Sequence, residues 1–223
     1  MIFPTFTKER QGLQRGFDFI AGCDEVGAGP VAGPVVVAAC ILNPNNIGEK
    51  RSGKKWYYRV RDSKTVSEKE REKLVEEILK NCISYGIGEV QADEIDKINI
   101  HQAKLLAMKL AVEDMLTKID SEKGNKVFLL VDGKFVIKNI DSKKFLVEQE
   151  AVIAGDSLIL SIAAASIIAK VYRDKILKEY DLKHPEYGFI RHKGYNTKEH
   201  VNAIITHGIT EFHRKSFLKR LAQ

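Results

Sequence analysis

Two adjacent carboxylates, Asp24 and Glu25, end an apolar run that begins at Phe17. A glycine-rich turn follows them at residues 26–30, and a second apolar run occupies residues 35–42. Carboxylates at the end of a buried strand are costly unless a cation or hydrogen bonds compensate them. The glycines beyond them expose backbone N–H groups that a phosphate or a sugar could approach closely. The stretch therefore indicates a metal-binding phosphodiester site. The alternative is a solvated strand end followed by an ordinary tight hairpin.

Two further carboxylates occupy comparable places in the chain. Asp132 ends an apolar run at residues 126–131, and Asp156 precedes a long apolar stretch. Binding sites in open α/β sheets form outside the strand ends, so these acids are expected to converge with Asp24 and Glu25. Four oxygen ligands without paired Cys or His favour a hard ion, Mg²⁺ or Mn²⁺. Two such ions, roughly 3.5–4 Å apart, would activate water and stabilise the leaving oxygen in phosphodiester hydrolysis.

The adjacency of the first two acids sets a geometric condition. Neighbouring residues of a β-strand point to opposite faces of the sheet. Asp24 and Glu25 are therefore expected to share one site only if the strand breaks there. The turn at residues 26–29 would supply that break.

Hydrophobic periodicity places these residues in an alternation of strands and helices. Strands are predicted at residues 17–23, 35–42, 83–90, 126–131 and 145–154. Helices are predicted at residues 67–81, 99–119, 158–180 and 197–207. The first of these helices opens with a capping box, Ser67 at the N-cap and Glu70 at N3. Residues 1–16 are interpreted as a polar lead-in. This order predicts an α/β fold with a helical, basic C-terminal end.

The bulk composition restricts the class of protein. At 223 residues the chain fits one domain, or one domain with a modest appendage. No apolar run reaches the roughly 18–20 residues that a membrane span requires, and the N-terminus lacks the pattern of a signal peptide. Cys23, Cys40 and Cys82 are far apart and suit a reducing cytosol. We therefore expect a cytoplasmic protein without a membrane partner.

Positive charge is concentrated in two places. The chain carries +6 overall, and residues 183–223 hold eight Lys or Arg against three Glu. A second basic patch, interleaved with aromatic residues, spans residues 50–61. Clustered cations suit a polyanion such as nucleic acid, although such runs also occur as solvated faces. His184, His192 and His200 are regularly spaced, but they lack the Cys or His partners at i+3 or i+4 that metal ligands usually have.

Several short segments stand out in order along the chain. They are residues 24–34 with the glycine turn, Asp62-Ser63-Lys64, Val131-Asp132-Gly133, residues 155–174, Tyr187-Gly188-Phe189, residues 192–200 and residues 213–217. This ordered set resembles the motifs of the ribonuclease HII (type 2 ribonuclease H) family and spans about residues 17–217. Any one segment is a weak signal, whereas the complete order is specific.

The resemblance implies a ribonuclease H-like mixed sheet flanked by helices. A catalytic domain would span residues 17–182, and a helical, basic nucleic-acid-binding extension of the same unit would span residues 183–223. The implied activity is an endoribonuclease that hydrolyses the RNA strand of RNA–DNA hybrids. It would also cut duplex DNA 5′ of embedded ribonucleotides and leave 3′-hydroxyl and 5′-phosphate ends. A monomer is expected on the same ground.

The resemblance also implies the roles of individual residues. The catalytic, metal-binding carboxylates would be Asp24, Glu25, Asp132 and Asp156. They would hold two Mg²⁺ or Mn²⁺ ions, with the first of the four as the bridging ligand. Backbone groups of Gly27, Ala28 and Gly29 would touch the ribonucleotide 2′-hydroxyl, which separates RNA from DNA. Tyr195 would abut the sugar of the next deoxynucleotide. The phosphate-binding residues would be Ser63, Lys64, Lys193 and Thr197.

Two positions depart from the family pattern. Ala28 stands where the family usually has Arg, and Ala154 stands where it often has Lys. The connection at residues 45–61 is unusually basic, and we expect it to supply part of the missing phosphate attraction. The candidates there are Lys54, Lys55, Arg59 and Arg61. Lys170 and Arg173 are interpreted as structural residues or peripheral phosphate contacts, and Asp174 as a structural partner rather than a fifth metal ligand.

Three other functions stay open. A nuclease of the same superfold that acts on DNA alone is disfavoured by the glycine turn and by Tyr195. The type 3 branch of ribonuclease H normally carries an extra N-terminal domain, for which the sixteen lead-in residues leave no room. A hybrid-binding module that lost catalysis through Ala28 conflicts with the four carboxylates.

Overall fold

The structure, a computed structural model, describes residues 3–48, 55–120, 122–142 and 144–219. The strands are β1 (Phe19–Val26), β2 (Val35–Leu42), β3 (Cys82–Val90), β4 (Asn125–Asp132) and β5 (Phe145–Val152). The helices are α1 (Thr7–Gln14), α2 (Glu68–Asn81), α3 (Ala92–Thr117), α4 (Gly155–Leu158), α5 (Leu160–Lys183), α6 (Phe189–His192), α7 (Lys198–His207) and α8 (Lys215–Leu218). The strands form one mixed sheet in the order β3-β2-β1-β4-β5. The predicted α/β fold, a mixed sheet flanked by helices, is confirmed.

The pairing of the strands brings two acidic strand ends together. β1 pairs with β2 as an antiparallel hairpin and with β4 in parallel. In the parallel pair, Cys23 lies opposite Val131. The residues that follow them, Asp24 and Asp132, therefore lie side by side at one edge of the sheet.

The apolar sequence of β2 is uninterrupted because both of its faces are buried. Val37 and Ala39 belong to a core cluster that includes the inner side of α3. Val36 and Ala38 belong to a second cluster with α2 and α5 on the opposite face. Such two-sided burial replaces the alternating pattern of a half-exposed strand.

Small residues let α5 lie directly against β1. Ala163, Ala164 and Ala165 are fully buried. A Cβ atom at Gly22 would lie 2.2 Å from the backbone carbonyl carbon of Ser161, so only glycine fits at this crossing. The alanine-rich first half of this helix was predicted to pack close to the sheet, and that prediction is confirmed.

The N-terminal segment is more ordered than its polar sequence suggests. The interpretation of residues 1–16 as a lead-in is wrong for the described part, because α1 forms there. The carboxylate of Glu9 is buried and accepts a hydrogen bond from the Ser161 backbone N–H at 2.8 Å. A buried glutamate of this kind has no apolar signature in the sequence.

α3 starts at Ala92, well before the predicted start at residue 99. Asn99 has φ 68° and ψ 162°, which interrupts the helix. Its side chain accepts hydrogen bonds from the backbone N–H groups of His101 and Gln102, at 3.0 and 3.2 Å. Asn99 therefore acts as a cap for the second part of α3, and this cap is the start signal that the sequence contains.

The C-terminal helices pack on α5 and on the β1–β2 connection. Their core contains Tyr187, Phe189 and Phe212, together with Tyr180 of α5 and Ala32 of the connection. The predicted helix at residues 197–207 is confirmed as α7. The division of the chain at residue 183 stays a prediction. Among the described residues, no helix is long and apolar enough to cross a membrane.

Candidate active site

Three of the four predicted metal ligands meet at the acidic edge of the sheet. Carboxylate oxygens of Asp24, Glu25 and Asp132 all lie within 4.8 Å of one another. The expected break in β1 is wrong, because the ladder with β2 continues through both acids to Val26. The Asp24 side chain bends toward the next residue, where its Oδ1 accepts a hydrogen bond from the Glu25 N–H at 2.8 Å. The two neighbouring carboxylates thus reach one site although the strand is unbroken.

The electrostatics of this cluster favour a cation. Burial raises the pKa of Asp24 well above its usual range, and the charges of Asp132 and Glu25 raise it further. Burial also raises the pKa of Asp132, and the neighbouring carboxylates add to that effect. A divalent ion among these groups would remove the repulsion and favour their ionised forms. The donor set consists of hard carboxylate oxygens, so these residues fit Mg²⁺ or Mn²⁺.

Asp156 is not one of the three clustered acids, but it interacts electrostatically with Asp24 and Asp132. The link between them is Asp132, whose Oδ1 accepts a hydrogen bond from the Gly155 N–H at 2.7 Å. The charge of Asp156 contributes to the raised pKa values of Asp24 and Asp132. Ala154, one of the departures from the family pattern, adopts the left-handed conformation with φ 56°. It gives the chain the bend that leads into α4.

A buried arginine fixes the glycine turn next to the acids. Arg214 is fully buried. Its guanidinium donates to the carbonyl oxygens of Gly27 at 2.6 Å, Ala28 at 3.1 Å and Gly33 at 2.7 and 2.9 Å. Gly27 itself has φ +88°, a conformation that favours glycine. The predicted substrate-sensing turn is therefore held from behind by a residue far away in the sequence.

A second buried arginine ties this turn to the segment that follows α6. Arg173 donates to the carbonyl oxygens of Ala32, Pro34 and Lys193, each at 3.0 Å. Burial lowers its pKa to about 10. It therefore orders the backbone at one predicted substrate-binding position, Lys193, and in the connection that follows the glycine turn.

Tyr195 lies beside the glycine turn. A Cβ atom at Gly29 would lie 3.7 Å from the Tyr195 ring, and this ring is 48% exposed. The neighbouring Gly194 carbonyl accepts hydrogen bonds from the Val31 and Ala32 N–H groups, at 2.9 and 3.3 Å. An exposed aromatic ring is thus placed next to backbone groups that a sugar could reach.

The predicted phosphate contacts have different environments. Lys64 and Thr197 are exposed, and the Thr197 hydroxyl also caps α7 by accepting from the His200 N–H at 3.3 Å. Lys193 is half-buried, and its ammonium lies 3.3 Å from the Glu68 carboxylate. Ser63 is buried and shares a hydrogen bond with the Ser166 hydroxyl at 3.1 Å.

Ser63 therefore differs from the other three. The Ser166 hydroxyl also hydrogen bonds with Asp24 and lowers its pKa, against the larger effect of burial. Ser63 is thus connected to the acidic cluster through this second hydroxyl rather than lying open to solvent.

His200 and His213 form a hydrogen-bonded pair, and the ring of His192 stacks on that of His200. His213 Nδ1 accepts from the Thr210 N–H at 3.0 Å, and the two Nε2 atoms of His213 and His200 lie 3.1 Å apart. His200 Nδ1 in turn lies 2.9 Å from the Tyr195 carbonyl oxygen. Burial lowers the pKa of both histidines to about 4, so they are neutral at pH 7. Among the described residues, the one close group of three metal-ligating side chains is the acidic cluster.

Three charged residues near the site have positions that the sequence did not reveal. Arg214 belongs to a recognised motif, but its burial behind the glycine turn has no local signal. Lys104 of α3 contacts the Glu25 carboxylate. Asp174 forms buried ion pairs with Lys170 at 2.6 Å and Arg71 at 3.3 Å, in line with its structural interpretation. A single charge in a sequence looks the same whether it is solvated or buried.

The chain is similar in sequence to proteins named ribonuclease HII. The family model described as Ribonuclease HII matches residues 21–220. A ribonuclease HII of Ruminiclostridium cellulolyticum is 44% identical over 96% of this chain and 76% of its own length. A ribonuclease HII of Alkaliphilus metalliredigens is 44% identical over 96% of this chain and 96% of its own. These matches separate the chain from the type 3 branch.

Solved structures show the same fold. Ribonuclease H2 from Pyrococcus horikoshii OT3 has a TM-score of 0.67 and 24% identity, over 89% of this chain and 93% of its own. Bst-RNase HIII in complex with Mn²⁺ has a TM-score of 0.70 and 18% identity, over 95% of this chain and 71% of its own. The solved structures show only the fold, whereas the sequence matches also show the family. The chain belongs to the ribonuclease HII family, metal-dependent enzymes that cleave the RNA strand of RNA–DNA hybrids.

Proposed function

We propose that this enzyme also cuts duplex DNA 5′ of embedded ribonucleotides, and that it uses two divalent ions, Mg²⁺ or Mn²⁺. The ligands would be Asp24, Glu25, Asp132 and Asp156. The products would carry 3′-hydroxyl and 5′-phosphate ends. The observation that carries the proposal is the position of three clustered carboxylates beside a glycine turn whose carbonyl oxygens are held by Arg214.

The residues divide the chemical work. Bound divalent ions would activate the attacking water and stabilise the leaving oxygen. Asp24 is the most buried of the clustered acids and is the proposed bridging ligand. Asp132 is oriented by the Gly155 N–H, which leaves its carboxylate in a fixed direction. Asp156, at the edge of the group, would complete the ligand set.

Recognition of the ribonucleotide would rest on the turn and on Tyr195. Arg214 fixes the conformation of the turn, so its backbone groups need no rearrangement to meet a 2′-hydroxyl. The exposed ring of Tyr195 would abut the sugar of the following deoxynucleotide. Lys64, Lys193 and Thr197 would hold phosphates nearby, the last at the N-terminus of α7, where anions are favoured.

The absence of the usual Arg at position 28 has a proposed compensation in the basic connection. Lys54 lies outside the described residues, and Arg59 pairs with Glu70 at 2.8 Å. Lys55 and Arg61 are then the described candidates for added phosphate attraction. Ala28→Arg is expected to raise the cleavage rate at a single embedded ribonucleotide in a 150 mM salt assay by about tenfold, because a guanidinium binds phosphate in a bidentate way. An unchanged cleavage rate in Ala28→Arg would contradict the explanation that phosphate attraction is missing at position 28.

The function is tested by cleavage of three labelled duplexes of one sequence. One contains an RNA strand, the second a single ribonucleotide and the third only DNA. With Mg²⁺ or Mn²⁺, the first two should be cut and the third left intact, and EDTA should abolish cutting. A polymerase should extend the products, which demonstrates 3′-hydroxyl ends. Cutting of the all-DNA duplex would indicate a DNA nuclease, and binding without metal-dependent turnover would indicate a hybrid-binding module.

A pair of matched variants links the activity to the cluster. Asp132→Asn removes a carboxylate from the cluster and should lower the rate by about 10²-fold or more. Asp120→Asn changes an exposed carboxylate after α3 and should leave the rate unchanged. Equal cleavage rates for Asp132→Asn and Asp120→Asn would contradict the proposed metal centre. The monomeric state and the cytoplasmic location stay predictions.

A further inference from the structure

One cationic side chain, that of Lys104 on α3, reaches the acidic cluster. The Lys104 ammonium contacts the Glu25 carboxylate, and their side chains are 31% and 15% exposed. The other cations close to the site have different partners: Lys170 pairs with Asp174 and Lys193 pairs with Glu68. Among the ion pairs of the described residues, only the pair of Lys104 with Glu25 therefore includes a member of the acidic cluster.

Lys104 lies next to the place where a metal ion would bind among the clustered acids. Together with Asp132, Lys134 and Phe135 it lines a small cavity of about 50 Å³ beside the acids. Its stem extends from α3, while Glu25 lies one residue before the end of β1 and Asp132 is the last residue of β4. The ammonium therefore belongs to α3 and not to the strands that hold the acids, and its flexible stem can move away from Glu25 without any movement of a strand.

We propose that Lys104 is a resident counter-cation of the metal centre, a positioning residue that competes with the divalent ion for Glu25. It compensates the carboxylate charge while no ion is bound, and it gives up this contact when an ion binds. The inference rests on the metal centre proposed above. It assigns Lys104 two effects of opposite sign: it stabilises the metal-free protein and weakens metal binding.

The physical basis is competition between cations for one carboxylate. An ammonium and a divalent ion at the same oxygen repel each other, so ion binding must displace the lysine or share the ligand with it. Three clustered acids without any counter-charge would repel each other in the metal-free fold. Because the pair is partly exposed, its strength is that of a modest salt bridge, which corresponds to a change of about three- to fivefold in an equilibrium constant.

The test measures Mn²⁺ binding and thermal stability in one set of full-length variants. Lys104→Met keeps the stem and removes the charge, and Lys104→Arg keeps the charge. Lys109→Met is the matched control, because Lys109 lies on the same helix and pairs with Glu113 instead. Free Mn²⁺ is counted by electron paramagnetic resonance, and Tm is measured by calorimetry in EDTA.

Lys104→Met should bind Mn²⁺ about three- to fivefold more tightly than the wild type and show a Tm in EDTA a few degrees lower. Added Mn²⁺ should restore its Tm to the wild-type value. Lys104→Arg and Lys109→Met should resemble the wild type in both measurements. Unchanged or weaker Mn²⁺ binding by a folded Lys104→Met protein would overturn the inference alone. A wild type that binds no Mn²⁺ would overturn the proposed metal centre as well.

Discussion

The buried guanidinium of Arg214 gives the sharpest test of how the glycine turn is held. Arg214→Met keeps a long apolar side chain and removes all donors to the carbonyl oxygens of Gly27, Ala28 and Gly33. Each buried acceptor left without a partner costs ~1–3 kcal/mol. Removal of a desolvated cation offsets part of this loss, since burial, followed by the charge of Arg173, lowers the pKa of Arg214 to about 9. We expect a net loss of ~3 kcal/mol in the free energy of unfolding.

The assay is urea unfolding at pH 7.5, followed by cleavage of hybrid and single-ribonucleotide duplexes. A loosened turn should also lower the preference for a ribonucleotide over a deoxynucleotide, because its backbone groups are then no longer preorganised. Arg191→Met is the control, because Arg191 is exposed and pairs with Glu199, so the expected loss is below ~1 kcal/mol. An Arg214→Met protein that keeps wild-type stability and wild-type discrimination would refute the proposed clamp.

Three further predictions follow from buried groups. Burial raises the pKa of Glu9 to about 7, so the wild type loses stability as pH rises from 4.5 to 7. In urea unfolding, Glu9→Gln should therefore be more stable than the wild type by ~3 kcal/mol at pH 8 and similar to it at pH 4, and equal stability of the two proteins at both pH values would contradict this. The pKa values of His200 and His213 are lowered to about 4, so the unfolded state takes up protons first and the folded protein loses stability as pH falls from 6.5 to 4. His213→Gln should reduce this loss in the free energy of unfolding by ~3 kcal/mol, and an unchanged dependence of that free energy on pH would argue against it. Gly22→Ala should lower Tm by several degrees by calorimetry, because its Cβ would meet the Ser161 backbone at 2.2 Å; a wild-type Tm would count against this tight crossing.

The convergence of the acids could be predicted from the sequence because its causes are local. Apolar runs end at Asp24 and at Asp132, and parallel pairing of two such strands places their ends at one edge. Two-sided burial of β2 is likewise visible as an unbroken apolar run. The same local reasoning located α2 from its capping box.

The remaining features depend on contacts between distant parts of the chain. Arg214 and Lys104 look like solvated charges in the sequence, and only the fold places one behind the turn and the other against Glu25. Glu9 lies in a polar segment, so nothing local predicts its burial under α5. The predicted break after Asp24 was wrong, because β1 continues through both acids and their carboxylates still meet, which the two-residue period of a strand does not encode.

The metal centre itself is tested most directly by anomalous diffraction from crystals of this protein soaked in Mn²⁺. Two Mn²⁺ peaks bounded by Asp24, Glu25, Asp132 and Asp156 are predicted, with the Lys104 ammonium moved away from Glu25. Mn²⁺ bound elsewhere on the protein, with no peak among these carboxylates at saturating Mn²⁺, would contradict the proposed centre.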